Sequence, residues 1–182
     1  MTDKPVGAGM FQVNENDEIQ GMNRRFILFS NALLINIFEQ FRDLLGPVAK
    51  RRIYEVGYSS GKMGGEKMRE IFKGGIEQFN QHLNLAGALG WGKLVNVEHD
   101  ESTGKIVIEY PNAWEADGYK EAYGGKISDT TLCNMIAGLA AGAAEGAFEV
   151  PYEGEEETCV GKGDTLCRFV LTPLGEERKV MK

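Results

Sequence analysis

Apolar residues recur three and four positions apart over Leu33, Leu34, Ile37, Phe38, Phe41, Leu44 and Leu45, with Ser30 ahead as an N-cap and Gly46-Pro47 behind as a stop. This spacing predicts a helix whose apolar face belongs in the core. A second helix is expected from Pro47, a residue favoured at a first helical position, through Val48, Ile53 and Val56 towards Gly61. Residues 66–72 and 75–89 continue as helix, the latter with Ile76, Phe79, Leu83 and Leu85 or Ala86 on one face. Beyond Trp91 the apolar period changes to two, and residues 94–98 and 106–110 read as strands of a hairpin closed across 100–104.

The stretch 111–129 reads as a loop containing Trp114, Tyr119, Tyr123 and Gly124-Gly125, and loops of that length in compact domains are often functional. Ser128 or Asp129 then caps a helix that bears Cys133 near its start. In it Gly138, Gly142 and Gly146 repeat every four residues and leave a thin flank for close packing. Residues 148–152 and 166–171 are expected as the outer strands of the final sheet. The pattern predicts an α+β fold, with helices packed on one face of an antiparallel sheet. Residues 1–24 are polar and read as a loosely held arm, 25–174 as a single domain and 175–182 as a charged tail.

Length and charge narrow the function classes. A single domain within 182 residues buries roughly 70% of its unfolded surface and needs no staple to fold. The formal net charge of −7 disfavours a surface that tracks phosphates, and the local run Lys50-Arg51-Arg52 reads as a solvated helix face. Residues 132–148 form the longest apolar-rich run, but Asn134 and Glu145 interrupt it, so no membrane insertion is expected. Residues 57–65 are glycine-rich, yet they lack the Gly-Lys-Ser/Thr ending of a phosphate loop and follow no hydrophobic strand. Close packing followed by a loop is the expectation there.

Chemistry concentrates near the C-terminus. Cys159 and Cys167 flank a Gly161-Lys162-Gly163-Asp164 turn, which folds its flanking strands into a hairpin and brings the two sulfurs together. Glu156 can approach the same point, and Cys133 is the natural fourth ligand. Three thiolates and a carboxylate make a sound tetrahedral zinc set, closed and therefore structural. Spacing alone leaves buried, space-filling thiols as an equal reading. A Cys159–Cys167 disulfide ranks last, because one cysteine is left over and the absence of a secretory signal points to a cytoplasmic, reducing compartment.

Glu156, Cys159, the Gly-Lys-Gly-Asp turn, Cys167-Arg168-Phe169 and the upstream Cys133 resemble the zinc-site pattern of the 4-vinyl-reductase domain family. The family holds hydrocarbon-binding proteins and the sensory domains of phenol- and xylene-responsive activators, and it is related in fold to a Golgi transport subunit. The resemblance implies a structural zinc on Cys133, Glu156, Cys159 and Cys167. It also implies an enclosed apolar pocket for a small hydrophobic or aromatic molecule, for which Phe79, Leu83, Trp91, Tyr110 and Trp114 are suitable lining. In the phenol sensors a histidine and a tryptophan bond the ligand hydroxyl; His82 and Trp91 or Trp114 are the nearest candidates here. A homodimer paired through the Leu33–Leu45 face or the glycine- and alanine-rich helix is implied, or a separate regulatory protein that receives the signal. No nucleophile elbow, histidine pair or dinucleotide fingerprint stands out, and His99 is expected solvated in a turn, so the chain reads as a non-enzymatic sensor or carrier. The alternatives are a protein-interaction scaffold and an accessory factor or reductase acting on a tetrapyrrole or other hydrophobic metabolite.

Overall fold

The computed structural model describes residues 11–21 and 24–175. Where a loose arm is expected, β1 (Phe11–Val13), β2 (Ile19–Gly21) and β3 (Arg24–Phe26) form a three-stranded antiparallel sheet. The rings of Phe11 and Phe26 meet edge to face at 4.8 Å. None of its described residues joins the main core. The rest of the arm, residues 1–10, 22 and 23, and the tail from 176 on lie outside the described residues.

Helix α1 (Asn31–Leu45) begins as expected, with Ser30 Oγ accepting from the Leu33 amide at 3.3 Å. Its packing differs from the expectation. Ile35 and Phe38 are buried, and Gly118 lies so close to Ile35 that an added Cβ would stand 2.9 Å from its side chain. Leu33, Ile37, Phe41, Leu44 and Leu45 remain exposed. The apolar stripe is wider than the one edge that a neighbouring helix covers.

Helix α2 (Val48–Met68) runs straight through the glycine-rich stretch expected to become a loop. The cause is its partner, α5 (Asn134–Phe148), which runs alongside in the same direction. A Cβ on Gly57 would stand 2.1 Å from the Met135 carbonyl oxygen, one on Gly61 2.0 Å from that of Leu139, and one on Gly65 2.9 Å from Gly146 Cα. Gly138, Gly142 and Gly146 of α5 answer at 2.0 Å from Tyr54 O, 2.0 Å from Tyr58 O and 2.6 Å from Gly65 Cα. Six glycines thus let two helix backbones touch. Contact along the whole length offsets the roughly 1 kcal/mol that each glycine costs a helix. Glu145 rivets the flank, accepting from Lys62 Nζ at 2.7 Å and from the Tyr58 hydroxyl.

Helix α3 (Gly75–Ala88) buries Phe79, His82, Leu83 and Ala86, close to the expected face. The hairpin of β4 (Asn96–His99) and β5 (Ile106–Tyr110) forms as expected, except that His99 is the last residue of β4, half-buried 5.1 Å from the Phe148 ring rather than solvated in a turn. The expected loop after it contains α4 (Trp114–Ala122). The sheet is completed by β6 (Tyr152–Thr158) and β7 (Cys167–Pro173) in the order β4-β5-β7-β6, all antiparallel. The strand expected from residue 148 therefore starts four residues later, because α5 continues to Phe148. β7 is a central strand, not an outer one. Inward residues Ile106, Ile108, Phe169 and Leu171 are fully buried in the core cluster that also holds α5. No helix among the described residues is long and apolar enough to cross a membrane.

Gly142→Ala should lower the unfolding free energy by about 3 kcal/mol by forcing the two backbones apart, seen as a lower urea midpoint. Gly175→Ala, whose methyl meets nothing within 4 Å, should leave the midpoint unchanged.

Candidate metal centre

Strand register explains how the four expected ligands converge. On β7 the inward positions are Cys167, Phe169 and Leu171, paired with Tyr110, Ile108 and Ile106 of β5. Glu156 lies opposite Phe169 and so also faces inward. Simple alternation would then send Cys159 outward, but β6 carries a bulge: Glu156 pairs with Phe169 and Thr158 already with Arg168. The one extra residue returns Cys159 to the inner face. A 3-10 turn at Val160–Lys162 and a left-handed Gly163 (φ +98°) close the hairpin, with the Cys159 amide donating to Asp164 Oδ2 at 2.8 Å.

Cys133 arrives from the helix layer. It is the residue before α5, and Ser128 and Asp129, expected as the cap, lie outside the helix. Its sulfur stands 4.0 Å from Cys159 Sγ and 3.8 Å from Cys167 Sγ. Sulfurs bonded to one another would be near 2.05 Å apart, whereas tetrahedral Zn–S bonds of about 2.3 Å set sulfurs about 3.8 Å apart. One ligand atom from each of Cys133, Glu156, Cys159 and Cys167 lies within 4.8 Å of all the others. Glu156 Oε2 accepts from the Cys133 amide at 2.7 Å, while its Oε1 is buried without a hydrogen-bond partner. The Val160 amide donates to Cys167 Sγ at 3.3 Å, as amides do to thiolates. Distances, the free carboxylate oxygen and the donor set all fit a four-coordinate zinc-type cation. With no cation, burial pushes the Cys133 thiol up, and burial and then the charge on Cys159 push Glu156 up to about 8.

The six residues expected around a ligand are buried or half-buried. Phe79, Leu83, Tyr110 and Trp114 belong to the core cluster, Trp91 packs on it, and His82 is 8% exposed. Trp114 meets Trp91 at 5.9 Å and Phe38 at 5.8 Å, and Tyr110 meets Phe169 at 6.1 Å. The His82 imidazole lies against Gly64, where an added Cβ would come within 2.7 Å of it. Burial holds His82 below its ordinary pKa, hence neutral. Its Nδ1 and the indole Nε1 of Trp114 are buried without hydrogen-bond partners. A separate groove of about 600 Å³ opens between α1 and α2, lined by Phe38, Phe41, Leu45, Ile53 and Val56 with Arg52 and Glu55 beside them. None of the six expected residues lines that groove.

One buried acid escaped the sequence reading. Glu115, the second residue of α4, is 1% exposed and accepts from the Met135 and Ile136 amides at 3.2 and 2.9 Å. The only hint in the sequence is a lone acid inside Ala113-Trp114-Glu115-Ala116.

Helices layered on an antiparallel sheet, joined at a closed cluster of three thiols and a carboxyl group, define a metal-centred α+β domain. Residues 113–173 match the family profile of the vinyl-4-reductase domain, and this part of the chain is such a domain, as the sequence resemblance implies. The phenol regulator MopR of Acinetobacter guillouiae is 24% identical over 160 residues, which cover 84% of this chain and 28% of that regulator. The fold is similar to the phenol-responsive sensory domain of the transcription activator PoxR, solved with phenol (TM-score 0.72, 22% identity, 94% of this chain and 88% of the other). It is also similar to subunit 3 of the trafficking protein particle complex from Naegleria fowleri, solved covalently bound to palmitic acid (TM-score 0.54, 13% identity, 79% and 95%).

Burial pushes Glu115 up to about 8 from an ordinary 4.5, against the Ile136 and Met135 amides and the charge of Arg42. The folded state holds that proton more tightly than the unfolded chain. Its contribution is therefore full below about pH 4.5 and is lost as the pH rises towards 8. Urea unfolding across that window should show wild type losing stability relative to Glu115→Gln as the pH rises.

Proposed function

We propose that this chain is a non-enzymatic domain that binds a small hydrophobic or aromatic molecule in its aromatic core, as a sensor or carrier. A structural zinc on Cys133, Glu156, Cys159 and Cys167 pins the helix layer to the sheet. The observation that carries the binding reading is the pair of unpartnered buried nitrogens, His82 Nδ1 and Trp114 Nε1, among aromatic and aliphatic side chains. Buried polar atoms without partners are rare and call for an explanation. A ligand with one polar group and an aromatic body supplies it, the polar group satisfying a nitrogen and the ring filling space beside Trp91 and Tyr110. The similarity to MopR and to the PoxR sensory domain supports phenolic compounds as the first class to try. Zinc would supply no chemistry to a substrate here, since four protein ligands complete its shell.

Phenol titrated into the protein should change tryptophan fluorescence saturably. His82→Ala and Trp114→Phe should each weaken binding about tenfold, the cost of one buried hydrogen bond. Native mass spectrometry should find one zinc per wild-type chain and less in Cys159→Ser. A wild type that binds neither phenol nor larger hydrophobic analogues would overturn the binding reading, and one without metal would overturn the zinc assignment.

We further propose a homodimer formed through α1 and the α1–α2 groove. Leu33 (46%), Ile37 (39%), Phe41 (44%) and Leu44 (79%) form an exposed apolar stripe that continues into Val48 and Val56 of α2. The glycine- and alanine-rich α5, considered as the other possible face, is buried along its length. Light scattering should report a dimer for wild type and a monomer for Ile37→Glu; a monomeric wild type would sink this assignment.

A further inference from the structure

The first turn of a helix presents amides that no carbonyl within the helix can accept, and a Ser, Thr, Asp or Asn side chain at the preceding position usually answers them. In α5 that position is held by Cys133, whose side chain makes no capping bond. Its sulfur is turned to Cys159 and Cys167 instead. A residue that ligates a metal cannot also cap its own helix. The amides of Met135 and Ile136, two and three residues beyond Cys133, would go unanswered in a region where Cys133 is 0% and Ile136 3% exposed. Glu115 answers both from another helix, each of its carboxyl oxygens accepting one amide. Among the described residues it is the only acidic side chain counted as fully buried.

We propose that Glu115 is a positioning residue for the metal centre, acting through the first turn of α5 to hold Cys133 Sγ at the vertex that tetrahedral coordination needs. Two carboxyl groups then fix the same corner from opposite sides. Glu156 takes the amide of Cys133 and offers its free oxygen to the cation, and Glu115 takes the next two free amides and touches no ligand atom. Arg42 adds a third, weaker tie from α1, its guanidinium 3.4 Å from the carbonyl oxygen of Leu132, the residue before Cys133. Removing groups that orient metal ligands without touching the metal lowers affinity about 10- to 100-fold. The inference rests on the zinc assignment above.

The test uses the full chain loaded with zinc, or with cobalt(II) as a spectroscopic probe, in wild type, Glu115→Gln and Glu115→Asp. Zinc release to a chromogenic chelator should be at least tenfold faster in Glu115→Gln, with the cobalt visible bands shifted. Glu115→Asp keeps both acceptor oxygens but draws them back, and should fall between the two. At pH 8 the metal-free Glu115→Gln protein should melt no lower than metal-free wild type, which separates positioning from general stability. Wild-type release rates and an unchanged cobalt spectrum in Glu115→Gln would overturn the proposal while leaving the zinc assignment intact. Failure of wild type to take up either metal would overturn both.

Discussion

The structure depends on the direct contact of two helix backbones. Gly57, Gly61 and Gly65 of α2 meet Gly138, Gly142 and Gly146 of α5, and a side chain at any of the six would separate the helices. That contact lowers α5 into the middle of the domain, apolar on every side, with α2 and α3 against it and β6 and β7 beneath. Gly154 of β6 shows how tight the lower contact is, since a Cβ there would lie 2.6 Å from the Ala137 carbonyl oxygen. Tyr54 closes the corner by accepting the Gly154 amide at 2.9 Å, which also occupies one outward donor of an edge strand.

The position of α5 in turn decides where Cys133 can be. Its N-terminal end reaches the bulged end of β6, and there the helix layer and the sheet exchange ligands. Three thiolates and a carboxylate around a divalent cation carry a net charge of −2, which burial would penalise heavily unless dipoles oppose it. The amides of Cys133 and Val160 and the start of α5 all point positive ends at this corner. The corner is thus built as an anion holder as much as a cation site.

The four cluster residues were legible because cysteine is scarce in this chain and the turn between Cys159 and Cys167 is spelled out by glycines. The bulge that makes Glu156 and Cys159 face the same way was not legible, since alternation allows no such pair three residues apart. Periodicity found the apolar face of α1 but could not say what covers it, and most of it is left uncovered. The glycines of α2 look like a loop when α5 is not considered, because their local propensity argues against a helix and only a distant partner reverses the sign. For α4 the obstacle was Glu115 and Asp117: an acid whose partners are amides about 20 residues further on leaves no local pattern.

Glycine-on-glycine contact also makes the register between α2 and α5 discrete. Sliding by part of a turn would bring a side chain of one helix against the backbone of the other, so graded shear is blocked and the pair behaves as one plate. Any displacement that begins at the N-terminal end of α5 is then passed to the whole 21-residue length of α2. The element free to take it up is α1, which hangs from that plate by the Gly46-Pro47 joint with its apolar stripe facing outward. A rigid plate with a single flexible flap converts a small change at an interior corner into a change at the surface, without any movement of the sheet.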